Sequence, residues 1–506
     1  MSLMKLPPEA ITKIFSYLVD DDPELSFHDD RKLRLLLCTL ARACSRLLGP
    51  ATDVLYSHVA FVFDGSNSSP VTRRMHLLST RLRENPLLVN RIRRSNITWH
   101  NSSRRTRNDK KACNEFLRIL RKSKSLVKLG LRINAKDSPT LLRHFTSRGF
   151  IAVRELEVEI DDEGENTFLP AEHIAKQLEL PKLETLALQA PVGKFVWGTV
   201  EGEALRPPLP HFKEFFMGWS RPVSTDVLAA VLPRTPNLEH LQLLLPGRAE
   251  LVAREFNSDY STMGYNLMKP LRPRRLSALL APVAKSLTHL QLEATNVTFP
   301  WHDYTRIDLS AFHSLRHLTI SSWLLFGGGG SAATSYCGSQ SMWRFLPRRL
   351  VDLEICFDGR QGILWSIDEM REQPSVFEHM HWVHRHCASY VKWLTELLAE
   401  VAIGKETQGI RGSSRDDNAT ITLNSVSVVE GDVIDNDRNW KIVKWNAMTD
   451  HLKDLARTAG AELDMQLRVP RYFESNECEV IYEAWEAIDD DFLFADGAEL
   501  EDSEDE

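Results

Sequence analysis

Leu238-Glu-His-Leu241-Gln-Leu243, Leu287-Thr-His-Leu290-Gln-Leu292, Leu315-Arg-His-Leu318-Thr-Ile320 and Leu350-Val-Asp-Leu353-Glu-Ile355 share one frame, apolar-x-x-apolar-x-apolar. Earlier in the chain the frame reads Leu126, Leu129, Leu131; Val153, Leu156, Val158; Leu183, Leu186, Leu188; and Phe212, Phe215, Met217. A degenerate copy runs from Ile92 to Ile97. The alternation at the end of each frame is the period of a half-buried strand. Successive frames start 27, 30, 29, 26, 49, 28 and 35 residues apart. Most of these steps fit one strand and one helix per repeat. Amphipathic helices are predicted between the strands, at Pro139–Phe145, Ala171–Leu178, Val227–Leu232 and Leu276–Ala284. The two longest steps imply insertions at Gly247–Leu271 and Gly327–Ser341. The fold class is therefore α/β, an irregular solenoid of strand–helix units. A ferredoxin-like or doubly wound sheet is the competing arrangement.

With 506 residues the chain is too long for one compact core, and an elongated array or several domains are expected. It is 43% hydrophobic and 26% charged, an ordinary globular balance. The net charge of −7 argues against nucleic acid binding over the whole surface, so a nucleic acid partner is not expected. No apolar run reaches the roughly 20 residues that span a bilayer, and no membrane partner is expected. Met1–Asp22 is amphipathic and lacks a signal-peptide apolar stretch, which points to cytoplasm, nucleus or both. The seven cysteines are scattered and odd in number, as reduced thiols are.

Leu6-Pro7-Pro8-Glu9 opens a helix, with proline and an acid in the first turn. Ile11, Ile14, Phe15 and Leu18 recur at helical spacing on one apolar face. A polar linker is predicted at Val19–Arg31. A second helix then carries Leu33, Leu36, Leu37, Leu40, Cys44, Leu47 and Leu48 on one stripe and ends at Gly49-Pro50. Ala51–Tyr56 reads as a third, short helix.

From Leu6 to Tyr56 the chain resembles an F-box, particularly the divergent fungal kind. With the frames that follow, the resemblance extends to leucine-rich-repeat F-box proteins. It implies a substrate-recognition subunit, not an enzyme, which docks on the Skp adaptor of a cullin-type ubiquitin ligase and holds a protein target on its repeats. Leu6, Pro7, Ile11, Ile14, Leu18, Leu37 and Leu40 are the expected adaptor-binding residues. Two other readings stay open: a repeat scaffold with no ligase link, and an enzyme with an unrecognised α/β site. The expected organisation is a helical module at 1–60, a solenoid at 85–403, a further repeat or cap at 404–470 and an acidic tail at 471–506. The asparagine that leucine-rich repeats place after each strand stands only at Asn134, with Asp161 as a substitute, so irregular turns are expected.

If Leu129 and Leu131 face the core, Lys128, Gly130 and Arg132 face outward. The same logic exposes Glu155, Glu157 and Glu159, then His240, Gln242, His289, Gln291, Glu293, His317 and Thr319. Such a face, basic then acidic then neutral, suits a protein ligand. Glu155, Glu157, Glu159, His289 and Gln291 are the candidate target-binding residues. Three like charges at period two repel one another unless solvent or a basic partner intervenes.

His379, His381, His384, His386 and Cys387 crowd a predicted helix at Ser375–Val401, but only His381 and His384 share a face, so no metal or other cofactor is expected. Gly327–Gly330 lacks the Gly-Lys-Ser/Thr of a phosphate loop. Arg91–Lys111 holds eight Lys/Arg and one acid, and reads as a solvated loop and helix face, with a nuclear-import signal or nucleic-acid patch as the alternative. Past the polar linker Gly404–Asn418, Thr420–Val429 alternates like a last strand and Trp440–Thr458 is predicted helical.

Overall fold

The structure, a computed structural model, describes residues 6–20, 27–63, 69–99, 107–134, 141, 144–145, 149–161, 178–189, 208–217, 228–229, 231–245, 273–294, 306–326, 342–357, 393–403, 423–430, 440–444 and 450–470. The chain divides into two compact units, Met1–Ala230 and Val231–Glu506.

The first unit begins with three helices, α1 (Pro8–Asp20), α2 (Phe27–Ala43) and α3 (Ser45–Ser57). Pro7 caps the start of α1 through its carbonyl, which accepts the N–H groups of Ala10 and Ile11 at 3.0 and 3.1 Å. The helices close on Ile11, Phe15, Leu37, Leu47, Ala51 and Val54, flanked by Leu6, Leu40, Ala41, Cys44 and Leu55. Two expectations are corrected here. The predicted linker is partly helical, since α1 runs to Asp20 and α2 starts at Phe27. The leucine stripe breaks at Cys44, whose backbone is extended (φ −156°, ψ 132°), and Pro50 lies buried inside α3. The break lets the second half of the stripe turn back onto α1 and α2.

Six parallel strands follow: β1 (His58–Phe63), β2 (Arg94–Trp99), β3 (Lys128–Asn134), β4 (Glu155–Asp161), β5 (Thr185–Gln189) and β6 (Glu214–Met217). Each pairs with the next in sequence. Between them run α4 (Ser69–Glu84), α5 (Pro86–Val89) and α6 (Arg107–Leu120). The inner face of α6 is Ala112, Cys113, Phe116, Leu117 and Leu120, with Phe116 set edge-on to Phe61 at 5.3 Å.

The second unit repeats the plan with β7 (His240–Leu245), β8 (His289–Ala294), β9 (His317–Ser321), β10 (Asp352–Phe357) and β11 (Ser425–Glu430). All are parallel in sequential order. Helices α7 (Pro273–Leu280), α8 (Ser322–Phe326) and α9 (393–403) lie between them, and Trp393 of α9 packs on Phe326 of α8 at 5.1 Å. The predicted helix at Trp440–Thr458 is corrected. Its first part is the strand β12 (Trp440–Lys444), and only α10 (Asp450–Ala459) is helical. Trp-Lys-Ile-Val-Lys alternates as a strand does, and antiparallel pairing with β13 (Glu462–Pro470) fixes it there. Between α10 and β13, Gly460 adopts φ 58°, and Ala461 N–H reaches Ala456 O at 2.9 Å, a left-handed helix cap.

Every predicted frame ends on a strand, and within each unit the frames are in register. In the first unit Leu129, Leu156, Leu186 and Phe215 form one column, and Leu131, Val158, Leu188 and Met217 the next. In the second, Leu241, Leu290, Leu318, Leu353 and Val426 align, beside Leu243, Leu292, Ile320, Ile355 and Val428. All are buried. The first apolar residue of a frame closes a turn before the strand, its N–H bonding a carbonyl three residues back (Val153 to Phe150, Leu183 to Leu180, Phe212 to Leu209, Leu315 to Phe312). A doubly wound sheet would reverse its strand order at a switch point. Within each unit the parallel strands instead follow sequence order, which is the solenoid-like arrangement.

Leu290 fills its column between Leu241 and Leu318 at 2% exposure. Replacing it with Ala is expected to destabilise the second unit by about 2–5 kcal/mol, read as a lower urea midpoint.

Candidate functional site

The register that stacks the apolar columns also stacks the polar residues between them. At the first strand position of the first unit stand Arg94, Lys128, Glu155, Thr185 and Glu214. Lys128 Nζ lies 3.5 Å from Glu155 Oε2 and 3.9 Å from Glu157 Oε2, and Arg132 Nε lies 3.2 Å from Glu159 Oε1. Thr185 Oγ1 donates to Glu214 Oε2 at 3.0 Å. The three candidate glutamates are thus on one face, and the basic partner that relieves their repulsion is the adjoining strand β3. Gly130 sits between the two cations, opposite Glu157. A Cβ there would come within 2.6 Å of Asn96 Oδ1, so glycine lets the β2 side chain lie over β3.

In the second unit the first position reads His240, His289, His317, Asp352 and Ser425. The three imidazoles lie in a run, His240 tilted by 39° against His289 and His289 stacked on His317, each pair with ring centroids 4.1 Å apart. His317 Nδ1 lies 2.6 Å from Asp352 Oδ2, and Ser425 Oγ donates to the other carboxylate oxygen. Thr288 Oγ1 donates to Glu239 O at 3.0 Å and contacts His289 Nδ1 at 2.9 Å. Gln291 of the next row donates to Glu293 two residues on. His289 and Gln291 therefore share one polar surface in the second unit, and the three glutamates form another in the first. Lys128, Arg132 and Asp352 complete these rows and were not singled out from sequence as their partners, although aligning the frames puts them there.

The N-terminal helices carry the other candidate surface. Ile14 is 40% exposed, and Pro7 is also exposed. Leu6 and Leu40 are half-buried. Ile11 and Leu37, expected on this surface, are instead core residues at 0% and 1% exposure, because α2 and α3 close over them. Leu18 lies in α1, and its side chain is outside the described residues. Tyr17, Leu35, Leu36 and Leu48 of the same three helices are also exposed.

Among the described residues no group of three or more His, Cys, Asp or Glu is placed to hold a metal ion. The cluster at His379–Cys387 lies outside the described residues. Desolvation by burial lowers the pKa of Arg306. Among the described residues no helix is long and apolar enough to cross a membrane.

The fold and its surfaces define an α/β protein of parallel strand–helix repeats with a three-helix N-terminal unit. No known family model matches the chain, and no characterised protein sequence does.

Lys128 and its glutamate partners are each more than a third exposed, so solvent screens them. Lys128→Ala is expected to change stability by less than about 1 kcal/mol, an effect that shrinks further in 0.5 M salt. Urea midpoints at low and high salt check this.

Proposed function

We propose that this chain is the substrate-recognition subunit of a Skp–cullin–F-box type ubiquitin ligase. In this reading the N-terminal helices dock on the Skp adaptor and the polar sheet faces hold a protein target. The observation that carries it is the exposed apolar surface of the N-terminal module, where Ile14, Tyr17, Leu35, Leu36 and Leu48 are 40–59% exposed. It coincides with the segment that resembles an F-box. Ile11 and Leu37 act from beneath by fixing the helix faces, whereas Leu6, Pro7, Ile14 and Leu40, with Leu18, supply contacts. The repeats add rigid faces on which polar side chains stand at strand spacing, a geometry suited to a folded or extended protein partner.

Target recognition is assigned to the polar rows, with Glu155, Glu157 and Glu159 in one unit and His289 and Gln291 in the other. A basic target segment would compete with Lys128 and Arg132 for the glutamates. Replacing all three glutamates by Lys is expected to slow target association most at low salt. Proximity labelling with this variant and the wild type should return different partners; an unchanged partner set removes the glutamate row from recognition.

The adaptor half is tested by pull-down of the Skp adaptor. Ile14→Asp and Leu18→Asp are each expected to cut capture at least about tenfold, since a buried unpaired carboxylate in an apolar interface costs more than 1.4 kcal/mol. Circular dichroism should stay unchanged for Ile14→Asp, whose side chain is exposed in the free chain. Wild-type capture by both variants would refute the ligase reading.

A further inference from the structure

Helices α4 and α6 lie side by side, joined by Arg83 to Glu115 at 2.7 Å and by Thr72 Oγ1 donating to Asp109. Their outward faces are strongly basic. Across the described residues between 69 and 134 there are sixteen Lys/Arg and three acids, Glu84, Asp109 and Glu115. Asp109 is buried, Glu115 is held by Arg83 and His76, and Glu84 pairs with Arg81. Among the described residues no acid on this face is therefore left to oppose an anionic ligand. The whole-chain charge of −7 hides this, because residues 471–506 alone hold fifteen acids and one base.

The cations are also aligned. Arg107, Lys111, Arg118 and Lys122 follow one another along α6 and its closing turn. At 3.6 residues per turn they fall within a sector of roughly 60° and span about 22 Å. All four are exposed, as is Arg73 on α4, and none of the five has an ion-pair partner among the described residues. No Phe, Tyr or Trp on these elements is exposed among the described residues; Trp99 and Phe116 are both buried.

We propose that this face binds the phosphate backbone of double-stranded DNA without reading its sequence. A duplex presents one negative charge per about 1.7 Å, about a dozen along the stripe, where a peptide would need an unbroken acidic run. Packed helices stand about 8–10 Å apart. Arg73 on α4 adds an exposed cation about one helix spacing from the α6 stripe, on the scale of the roughly 12 Å width of the B-form major groove. The A-form groove is narrower and deeper, which disfavours duplex RNA. Without exposed aromatic rings there is no platform for unstacked bases, which disfavours single strands.

The test uses the full chain and a fluorescein-labelled 30-base-pair DNA duplex, followed by anisotropy between 50 and 200 mM salt. Binding is expected to weaken with salt at a log–log slope of about −4, the signature of four to five displaced counterions. Substituting Glu at Arg107, Lys111, Arg118 and Lys122 together should weaken binding at least about tenfold and remove most of the slope. The milder pair Lys111→Gln and Lys122→Gln, with an unchanged melting temperature, should lower the slope by about 2. Arg348→Gln with Arg349→Gln, far along the sequence in the second unit, should leave both quantities unchanged. No binding at 50 mM salt overturns the proposal, as does wild-type affinity in the Gln pair. Equal affinity for polyglutamate, single-stranded DNA or phosphatidylserine vesicles also overturns it, by reassigning the surface to another class of polyanion.

Discussion

From β2 to β6 in the first unit and from β7 to β11 in the second, each repeat is anchored to the next by one backbone carbonyl that accepts two N–H groups. The residue just before a strand offers the carbonyl; the equivalent residue of the next repeat, and the one after it, supply the donors. Arg93 O binds the N–H groups of Val127 and Lys128, Val127 O those of Arg154 and Glu155, and Arg154 O those of Glu184 and Thr185. In the second unit Glu239, Thr288, Arg316 and Val351 do the same. The bond fixes where each strand begins. A slip of one residue would turn every side chain of the strand to the opposite face. Apolar columns, polar rows and the candidate surfaces all depend on this alignment, which the side chains do not have to specify.

A shared register has an electrostatic cost. It puts equivalent residues of successive repeats directly opposite one another, so a repeat that copied one charge would stack like charges across the sheet. The two units meet this differently. The first sets cations on β3 against anions on β4, and then threonine beside glutamate. The second uses three imidazoles, whose ring centroids follow one another at 4.1 Å, and ends the row on a carboxylate held by a histidine and a serine.

The strands were legible because burial imposes a period of two and the turn before each strand buries one more apolar residue, as Leu287, Leu290 and Leu292 show. β1 was missed because His58–Phe63 follows α3 directly, so the residue three before Val59, Tyr56, reads as the end of a helix. The helix break at Cys44 was illegible because the leucine spacing continues through it, while Gly49-Pro50 carries the local signal for a stop. Trp440–Lys444 took its structure from β13, a partner more than twenty residues on, which no local pattern reports. The glutamate row was readable as a face, but its neutralisation by Lys128 and Arg132 required aligning two repeats. At the N-terminus, periodicity identified an apolar face without separating Ile11, which is buried, from Ile14, which is not.

The last strand pair has a consequence for assembly. A stack of parallel units ends in an open edge with unpaired backbone groups, and another copy's first strand could extend it indefinitely. Here β12 runs against β13 and reverses the strand direction after the last parallel member. A newcomer would meet the opposite chain polarity and could not continue the spacing of carbonyls that joins one repeat to the next. Reversal of a single five-residue strand thus acts as a terminator, making the array finite at that end.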